Sequence, residues 1–348
     1  MGGDDAPHIV VEGAHLALQK YPQAKFLIFG DEAKITPLVK KYAGLSAAAE
    51  VRHTPDRVTS EDKPSAALRS GRNSSMRLAI DAVGRGEAQC VVSAGNTGAL
   101  MAMAKFVLKS LPGITRPAIA TALPTKVPGH GAVVLDLGAN VDCSAKNLLE
   151  FGILGGVYAR EILKMPEPRI GLLNIGSEAM KGHEIVKEAA ELFAAAESLP
   201  GEYIGFVEGD DIGAGTVDVV VTDGFTGNIV LKTIEGTARL MASLIKQTFR
   251  SSWLVKIGSI LSLPGIALAL PALFGLKKRV DPRFYNGASF MGLRDLCIKS
   301  HGGTDAVGFA NAIGVAAEMV INQFNQKVAQ EIERIGIGEE PAPEEATA

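Results

Sequence analysis

Apolar runs of strand length recur along the chain, and most of them end in a turn that contains glycine. The runs predict strands within residues 25–31, 89–98, 132–140, 169–178, 203–211, 217–228 and 296–305. Apolar residues at helical spacing predict helices between several of them, over residues 145–163, 184–197 and 226–249. Continuous apolar strands that alternate with helices indicate an α/β fold, with a mainly parallel sheet covered by helices on both faces. In such sheets ligands bind beyond the carboxyl ends of the strands, which is where these glycine turns lie.

One stretch departs from this alternation. Residues 251–280 are apolar over most of their length, but Pro264 and Pro271 interrupt them. Each half would extend about 15 Å as a helix, which is too short for a bilayer core about 30 Å thick. The pattern predicts an apolar amphipathic helical hairpin inserted into the fold. It would lie in a subunit interface or on a membrane surface, and both can hold in a dimer.

If residues 251–280 lie on a membrane surface, the apolar side of the first half of this segment would be buried in the lipid. The basic residues 277–279 would then contact anionic headgroups. The side chains expected to contact the membrane are Trp253, Leu254, Ile257 and Leu261.

Composition narrows the class of protein and of partner. The chain has 348 residues, 47% of them hydrophobic, which is enough for a large core. We expect one catalytic unit over residues 1–338 and a disordered tail over 339–348, which is acidic and rich in proline and alanine. A net charge of −3 provides no basic field for nucleic acid. Three isolated cysteines without metal-ligand spacing fit a reducing cytosol and predict no metal site, and the first ten residues lack the apolar run of a signal peptide.

Two glycine loops combine the end of a predicted strand with the start of a predicted helix. They are "SAGNTG" at residues 93–98 and "DGFTGN" at residues 223–228. Backbone N–H groups of small residues at a helix N-terminus bind phosphate. The alternative is that the glycines and asparagines satisfy turn geometry and cap helices. The candidate anion-binding residues are Ser93, Gly95, Asn96, Thr97, Gly98, Asp223, Gly224, Thr226, Gly227 and Asn228.

Three further turns contribute candidate side chains. "NIGSEAMKG" (174–182) contains Glu178 and Lys181. Lys181 is near a predicted helix start, where a bound anion would offset the repulsion between its charge and the helix dipole. The alternative is an ordinary solvated lysine. "DLGANVD" (136–142) contains Asn140 between two aspartates. These side chains either form the turn or orient a substrate. "KSHGG" contains His301, a structural histidine or else an acid, base or anion donor.

The motifs of several common chemistries are missing from the sequence. No GxGxxG follows a predicted strand, and no GxxxxGK[ST], GxSxG or HExxH occurs. A dinucleotide site, a nucleotide P-loop, a serine hydrolase and a zinc protease are therefore disfavoured, and we expect no cofactor. Cys90 lies in an apolar run and Cys143 has no adjacent cation that would lower its pKa, so neither is an expected nucleophile.

Six ordered motifs resemble those of the bacterial phosphate acyltransferases, over about residues 1–320. They are "MGGDDAP", "SAGNTGALMA", "LDLGANVDC", "LLNIGSEAMKG", "DGFTGNIVLKTIEG" and "YNGASFMGLRDLCIKSHGGTD". The resemblance implies a fold like that of the phosphate acetyl- and butyryltransferases and the isocitrate and isopropylmalate dehydrogenases, and a homodimer. It implies transfer of a long-chain acyl group from acyl carrier protein to inorganic phosphate in phospholipid synthesis. The product would pass to a membrane glycerol-3-phosphate acyltransferase, from a cytoplasmic enzyme at the inner face of the cell membrane.

The resemblance and the loops together suggest that phosphate itself is the nucleophile. It would be held by "SAGNTG" and "DGFTGN", with Asn96 and Asn228 donating to phosphate or to the oxyanion. Lys181 would offset the charge, and His301 would be the general acid if one is used. Residues 277–279 and Arg283 are candidates for steering the acidic carrier protein. Members of the family carry a strand before "MGGD", whereas this chain starts inside that motif, so we expect a missing ladder neighbour there.

Two other functions fit part of this pattern. A phosphate acetyl- or butyryltransferase would use acyl-coenzyme A instead of acyl carrier protein. A peripheral membrane protein could bind phosphate or acyl chains without turning them over. Formation of acyl phosphate from each thioester separates the three.

Overall fold

The computed structural model describes residues 1–250, Gly275 and residues 281–336. The hairpin predicted over 251–280, apart from Gly275, and the tail predicted over 339–348 lie outside the described residues. Among the described residues, no helix has the length and apolar character needed to cross a bilayer.

Ten strands occur in the described parts of the chain. They are β1 (Phe26–Gly30), β2 (Ala49–His53), β3 (Cys90–Ser93), β4 (Ala118–Pro124), β5 (Gly131–Leu135), β6 (Arg169–Leu173), β7 (Glu202–Val207), β8 (Val219–Val221), β9 (Ala288–Met291) and β10 (Leu296–Lys299). All seven predicted strands are confirmed. The sequence patterns missed β2, which is polar, β4, which is rich in alanine, and the short β9.

The described helices lie before, between and after these strands, with a short 3₁₀ turn at Pro282–Tyr285. They are α1 (His8–Lys20), α2 (Glu32–Val39), α3 (Ala43–Ala48), α4 (Pro64–Ser70), α5 (Ser75–Gly84), α6 (Thr97–Leu108), α7 (Ala145–Glu161), α8 (Glu184–Ala195), α9 (Gly209–Ala214), α10 (Gly224–Arg250), α11 (Ala306–Ile321) and α12 (Phe324–Ile335). The three predicted helices are confirmed as α7, α8 and α10. The last of these begins at Gly224, so most of "DGFTGN" is already helical.

Eight strands form the central sheet, in the order β3-β10-β9-β4-β5-β8-β6-β7. The pairs β3–β10, β5–β8, β8–β6 and β6–β7 are parallel, whereas β10–β9, β9–β4 and β4–β5 are antiparallel. Three reversals make β5, β8, β6 and β7 run opposite to β3 and β10. The carboxyl ends of β3 and β10 therefore lie at one edge of the sheet, and the carboxyl ends of β5, β8, β6 and β7 lie at the opposite edge.

Apolar cores cover both faces of this sheet, as predicted. One contains α7, which is buried over nearly its whole circumference. Glycines let α7 approach its neighbours, because a Cβ built on Gly152 would lie 2.3 Å from the ring of Phe193 and one on Gly155 would lie 2.5 Å from Val219. The other core packs α5 and α6 on the opposite face.

A second, two-stranded sheet pairs β1 with β2 in parallel. Both β1 and β3 line a cavity of about 830 Å³, which α1, α5 and α11 close on its sides. Met1, Gly2 and Ser93 also line it, so the cavity lies directly behind the first of the glycine loops.

Candidate active site

Three glycine-rich segments meet at the carboxyl ends of β3 and β10. We call residues 2–4, 93–98 and 299–304 the first glycine cluster. The N–H of Ser300 donates to the carbonyl of Ser93 at 2.8 Å, and the N–H of Asp4 donates to the carbonyl of Gly302 at 2.9 Å. A Cβ built on Gly2 would lie 2.6 Å from the Cα of Gly95. The segments lead into α1, α6 and α11.

Lys299 lies at the base of this cluster and was not singled out from the sequence. Its residue is only 9% exposed, and its backbone is in register with Ser93 on β3. Nζ donates to the carbonyl oxygen of Ser300. Burial lowers the pKa of Lys299 to about 8, while the nearby Asp4 carboxylate opposes this shift. The available signal was a lysine that ends an apolar strand immediately before a glycine turn.

His301 lies at the exposed rim of the cluster. Its backbone N–H donates to Oδ1 of Asn286 at 2.8 Å, and its Nδ1 accepts from the N–H of Gly303 at 3.1 Å. With Nδ1 as an acceptor, the neutral ring carries its proton on Nε2. Asn286 also donates to the hydroxyl of Ser300 at 2.8 Å. The turn therefore fixes the ring and leaves Nε2 as a donor.

Asn96 uses its side chain to hold the loop together. Oδ1 accepts from the N–H of Ala99 at 3.1 Å and caps α6. Nδ2 lies within 3.2 Å of three carbonyl oxygens, those of Thr59, Ser60 and Asp62. The donor expected to contact phosphate is thus committed to the scaffold. The hydroxyl of Ser93 accepts from the N–H of Gly95 at 3.2 Å, whereas Thr97 is exposed in the first turn of α6, beside Gly98.

A second set of loops lies at the carboxyl ends of β5 and β8. We call residues 136–142 and 222–228 the second glycine cluster. At its centre Asp136 is completely buried. Oδ1 accepts from the N–H groups of Ile119, Gly138 and Ala139 at 2.9–3.2 Å. Oδ2 accepts from the N–H of Asn140 at 2.7 Å and from its Nδ2 at 2.9 Å. Burial raises the pKa of Asp136, and these hydrogen bonds oppose the shift.

Close packing explains the glycines of "DGFTGN". A Cβ on Gly224 would lie 2.8 Å from Oδ2 of Asp136, and one on Gly227 would lie 1.9 Å from the Asp136 carbonyl oxygen. Asp223 caps the helix by accepting from the N–H and the hydroxyl of Thr226, both at 2.8 Å. Asn228 is exposed, and its side chain lies against Gly138.

Lys181 lies at the same edge of the sheet as the second cluster, on the loop after β6. It is exposed and forms an ion pair with Glu178 at 2.8 Å, which raises the pKa of the lysine. The helix α8 begins only at Glu184. Arg283, a candidate for steering the carrier protein, is ion-paired with Asp281 and Asp305.

The two clusters are separate in the structure. Two strands, β9 and β4, lie between β10 and β5, which sets those strands about 14 Å apart. No hydrogen bond or ion pair of the described residues joins the clusters. The sequence placed phosphate between Asn96 and Asn228, but the structure does not bring these two residues together.

Comparison with known proteins identifies relatives over almost the whole chain. The model of a family described as "Fatty acid synthesis protein" matches residues 1–327. The phosphate acyltransferase of Rhodospirillum centenum is 58% identical over 335 residues, which cover 96% of this chain and 92% of that protein. The phosphate acyltransferase of Rhodospirillum rubrum is 53% identical over 337 residues, which cover 97% of this chain and 94% of that protein.

Solved structures share the fold at low sequence identity. A phosphotransacetylase from Streptococcus pyogenes has a TM-score of 0.58 at 17% identity and covers 94% of this chain and 92% of its own. A branched-chain phosphotransacylase from Enterococcus faecalis has a TM-score of 0.55 at 14% identity and covers 92% of this chain and 96% of its own. The expected fold class is confirmed.

Proposed function

The chain belongs to the phosphate acyltransferases of the fatty acid synthesis protein family, and from this premise we propose that it transfers a long-chain fatty acyl group from acyl carrier protein to inorganic phosphate. The family makes the protein an acyltransferase. The identity of the thioester and the acyl phosphate product are the proposal. The observation that supports it is the first glycine cluster, in which the N-terminal N–H groups of α6 follow Ser93 and the buried Lys299 is in register with Ser93.

The reaction needs no enzyme nucleophile. A phosphate oxygen attacks the carbonyl carbon of the thioester, the new C–O bond forms, and the C–S bond breaks. The electron pair leaves on the pantetheine sulfur, which then takes up a proton. Burial raises the pKa of Cys90 and of Cys143 to about 11 and also raises the pKa of Cys297. All three remain thiols at neutral pH, which supports direct attack by phosphate.

Phosphate binds in the first glycine cluster in this proposal. The N–H groups of Thr97 and Gly98 lie in the first turn of α6 and have no partner within the helix. They point with the helix dipole at the bound anion. Asn96 positions this loop rather than contacting the reacting atoms. His301 donates from Nε2 to the developing oxyanion or to the leaving sulfur.

The carrier protein docks at the edge that carries the second glycine cluster, and its pantetheine arm brings the thioester from there to the phosphate in the first cluster. Large apolar side chains are exposed there, on the loop after β6 and in the first turn of α10: Ile175 is 77%, Met180 83% and Phe225 60% exposed. Exposed apolar groups in one region are typical of a docking surface. Lys181 lies beside Met180 and supplies a cation for the acidic carrier or its pantetheine phosphate. Asn228 follows Phe225 by three positions and contacts the donor rather than the phosphate.

Subunit and membrane contacts belong to the same proposal. The exposed face of α10 carries Leu240, Met241 and Ile245, which supports a homodimer. Residues 251–280 place the enzyme on the inner face of the membrane, beside the glycerol-3-phosphate acyltransferase that takes the product. Replacing Leu254, Ile257 and Leu261 by glutamine is expected to release the protein from anionic liposomes without loss of the soluble reaction. Continued flotation with the liposomes would exclude this segment as the anchor.

Hydroxylamine trapping tests the reaction itself. The protein is mixed with palmitoyl-acyl carrier protein and phosphate, and the acyl phosphate is converted to a hydroxamate. We expect a product that depends on phosphate, and less of it from palmitoyl- or acetyl-coenzyme A at the same concentration. A preference for acetyl-coenzyme A would favour a phosphotransacetylase. Phosphate binding without a hydroxamate from any thioester would favour a binding protein.

A further inference from the structure

Lys299 is buried in a place where a lysine cation is unfavourable by itself. It shares a face of β10 with Cys297, and Cys297 packs in the core beneath α6 with Ala99 and Leu100. The ammonium therefore lies towards the start of α6, which carries a partial positive charge. This like charge adds to the desolvation of a buried cation.

The ammonium of Lys299 has too few hydrogen-bond acceptors and negative charges around it to offset the free-energy cost of its burial. An ammonium has three N–H donors, and one of them donates to the carbonyl of Ser300. Asp4 is the nearby carboxylate, but it is exposed. Buried charges are ordinarily paired and fully hydrogen-bonded. An anion in the first glycine cluster would supply both the charge and the acceptors.

We propose that the ammonium of Lys299 binds an oxygen of the phosphate nucleophile at the floor of the first glycine cluster. The inference rests on the proposed function for the identity of the anion. Backbone N–H groups of the loops contact the phosphate from the rim, and Lys299 contacts it from below. The oxygen facing the thioester stays free to attack.

The glycine at position 302 fits this arrangement. A Cβ built there would meet nothing closer than 3.5 Å, the distance to the Ala94 carbonyl oxygen, and its backbone is not in the left-handed region. Neither packing nor backbone conformation of the described residues therefore requires glycine here. A ligand that approaches the backbone closely would require it.

The test compares Lys299→Met with Lys105→Met. Lys105 is an exposed lysine of α6, so both variants remove one positive charge near the same helix. We expect Lys299→Met to raise the KM for phosphate by about 10²-fold while the KM for acyl carrier protein thioester stays within about threefold of wild type. Lys105→Met should match wild type in both values. Equal phosphate KM values for Lys299→Met and wild type would overturn the inference.

Direct binding separates this inference from the proposed function. Calorimetric titration with inorganic phosphate alone should show binding by wild type and by Lys105→Met and none by Lys299→Met. If wild type forms no acyl phosphate but shows this pattern, the proposed function fails and the inference stands. If wild type forms acyl phosphate and Lys299→Met still binds phosphate with wild-type affinity, the inference fails and the function stands. Thermal melting checks folding, and Lys299→Gln replaces the methionine variant if that variant does not fold.

Discussion

The two glycine clusters look alike in sequence and differ in where their hydrogen bonds go. Each follows strand ends, precedes helices and contains closely packed glycines. In the second cluster the acceptor is internal, because Asp136 takes three N–H bonds on one oxygen and two on the other. A carboxylate of the protein itself thus occupies the position that a bound anion takes in a nest of N–H groups. In the first cluster the buried charged group is a cation, Lys299, and the rim is open.

This difference separates a structural turn from a ligand site. Polar groups that are satisfied inside the protein have nothing left for a substrate. Gly224 and Gly227 are explained by their contact with Asp136, whereas Gly302 has no such explanation within the described residues. The glycine pattern predicts a tight turn in both places, and only the partner atoms show which turn can bind an anion.

Asp136→Ala tests the structural role of the second cluster and should have the largest effect. It leaves the buried N–H groups of Ile119 and Asn140, and the partly buried N–H of Ala139, without this acceptor. We expect the free energy of unfolding to fall by about 3 kcal/mol or more. The measurement is urea denaturation, with the exposed Asp142→Ala as control. Wild-type stability of Asp136→Ala would show that the cluster does not need its internal anion.

The pH dependence of stability tests the buried cation of the first cluster. The pKa of Lys299 is about 8 in the folded protein and 10.5 in the reference state. Between these values the unfolded chain binds more protons, so this group makes the fold more stable as pH rises from 8 to 10.5. The gain is at most about 3 kcal/mol. It should appear in wild type relative to Lys299→Met, in phosphate-free buffer.

Phosphate provides the control for that measurement. A bound anion holds Lys299 protonated, so saturating phosphate should reduce the difference in pH dependence between wild type and Lys299→Met. Parallel stability curves for the two proteins without phosphate would show that the lysine is not desolvated.

His301→Gln tests the rim of the first cluster. Glutamine keeps a hydrogen-bond donor but cannot form an imidazolium, so turnover should fall by about 10²-fold if a protonated His301 gives its extra proton to the leaving sulfur and returns to the neutral ring. The loss should be smaller with a thioester whose thiol has a lower pKa, because such a sulfur leaves without a proton. An equal loss with both thioesters would assign His301 to binding.

Lys181→Met should have the smallest effect of these variants. In contrast to Lys299→Met, it should impair use of the acyl donor and not of phosphate. Because Lys181 lies at the edge of the second cluster, we expect the KM for acyl carrier protein thioester to rise by about tenfold, with less dependence on salt than wild type. The KM for phosphate should not change. A rise confined to the phosphate KM would bring Lys181 into the phosphate site and contradict the separation of the two clusters.

The amino-acid sequence by itself determined the local elements. Apolar runs such as "VDVVV" and "RIGLL" form strands because a buried strand requires little more than a continuous run of apolar residues. The glycine turns lie at the ends of these strands, as predicted. Helical spacing placed α7, α8 and α10 to within about two residues. The four-residue β9 and the alanine-rich β4 gave no comparable signal, because their burial depends on neighbours distant in the sequence.

The tertiary structure alone decided which loops meet. Two of the three missed strands, β4 and β9, pair antiparallel with their neighbours and reverse the direction of half of the sheet. "SAGNTG" consequently joins residues 2–4 and 299–304, and "DGFTGN" joins residues 136–142. Strand direction and the partners of buried charges such as Asp136 and Lys299 are set by contacts between distant segments, so no local pattern could reveal them.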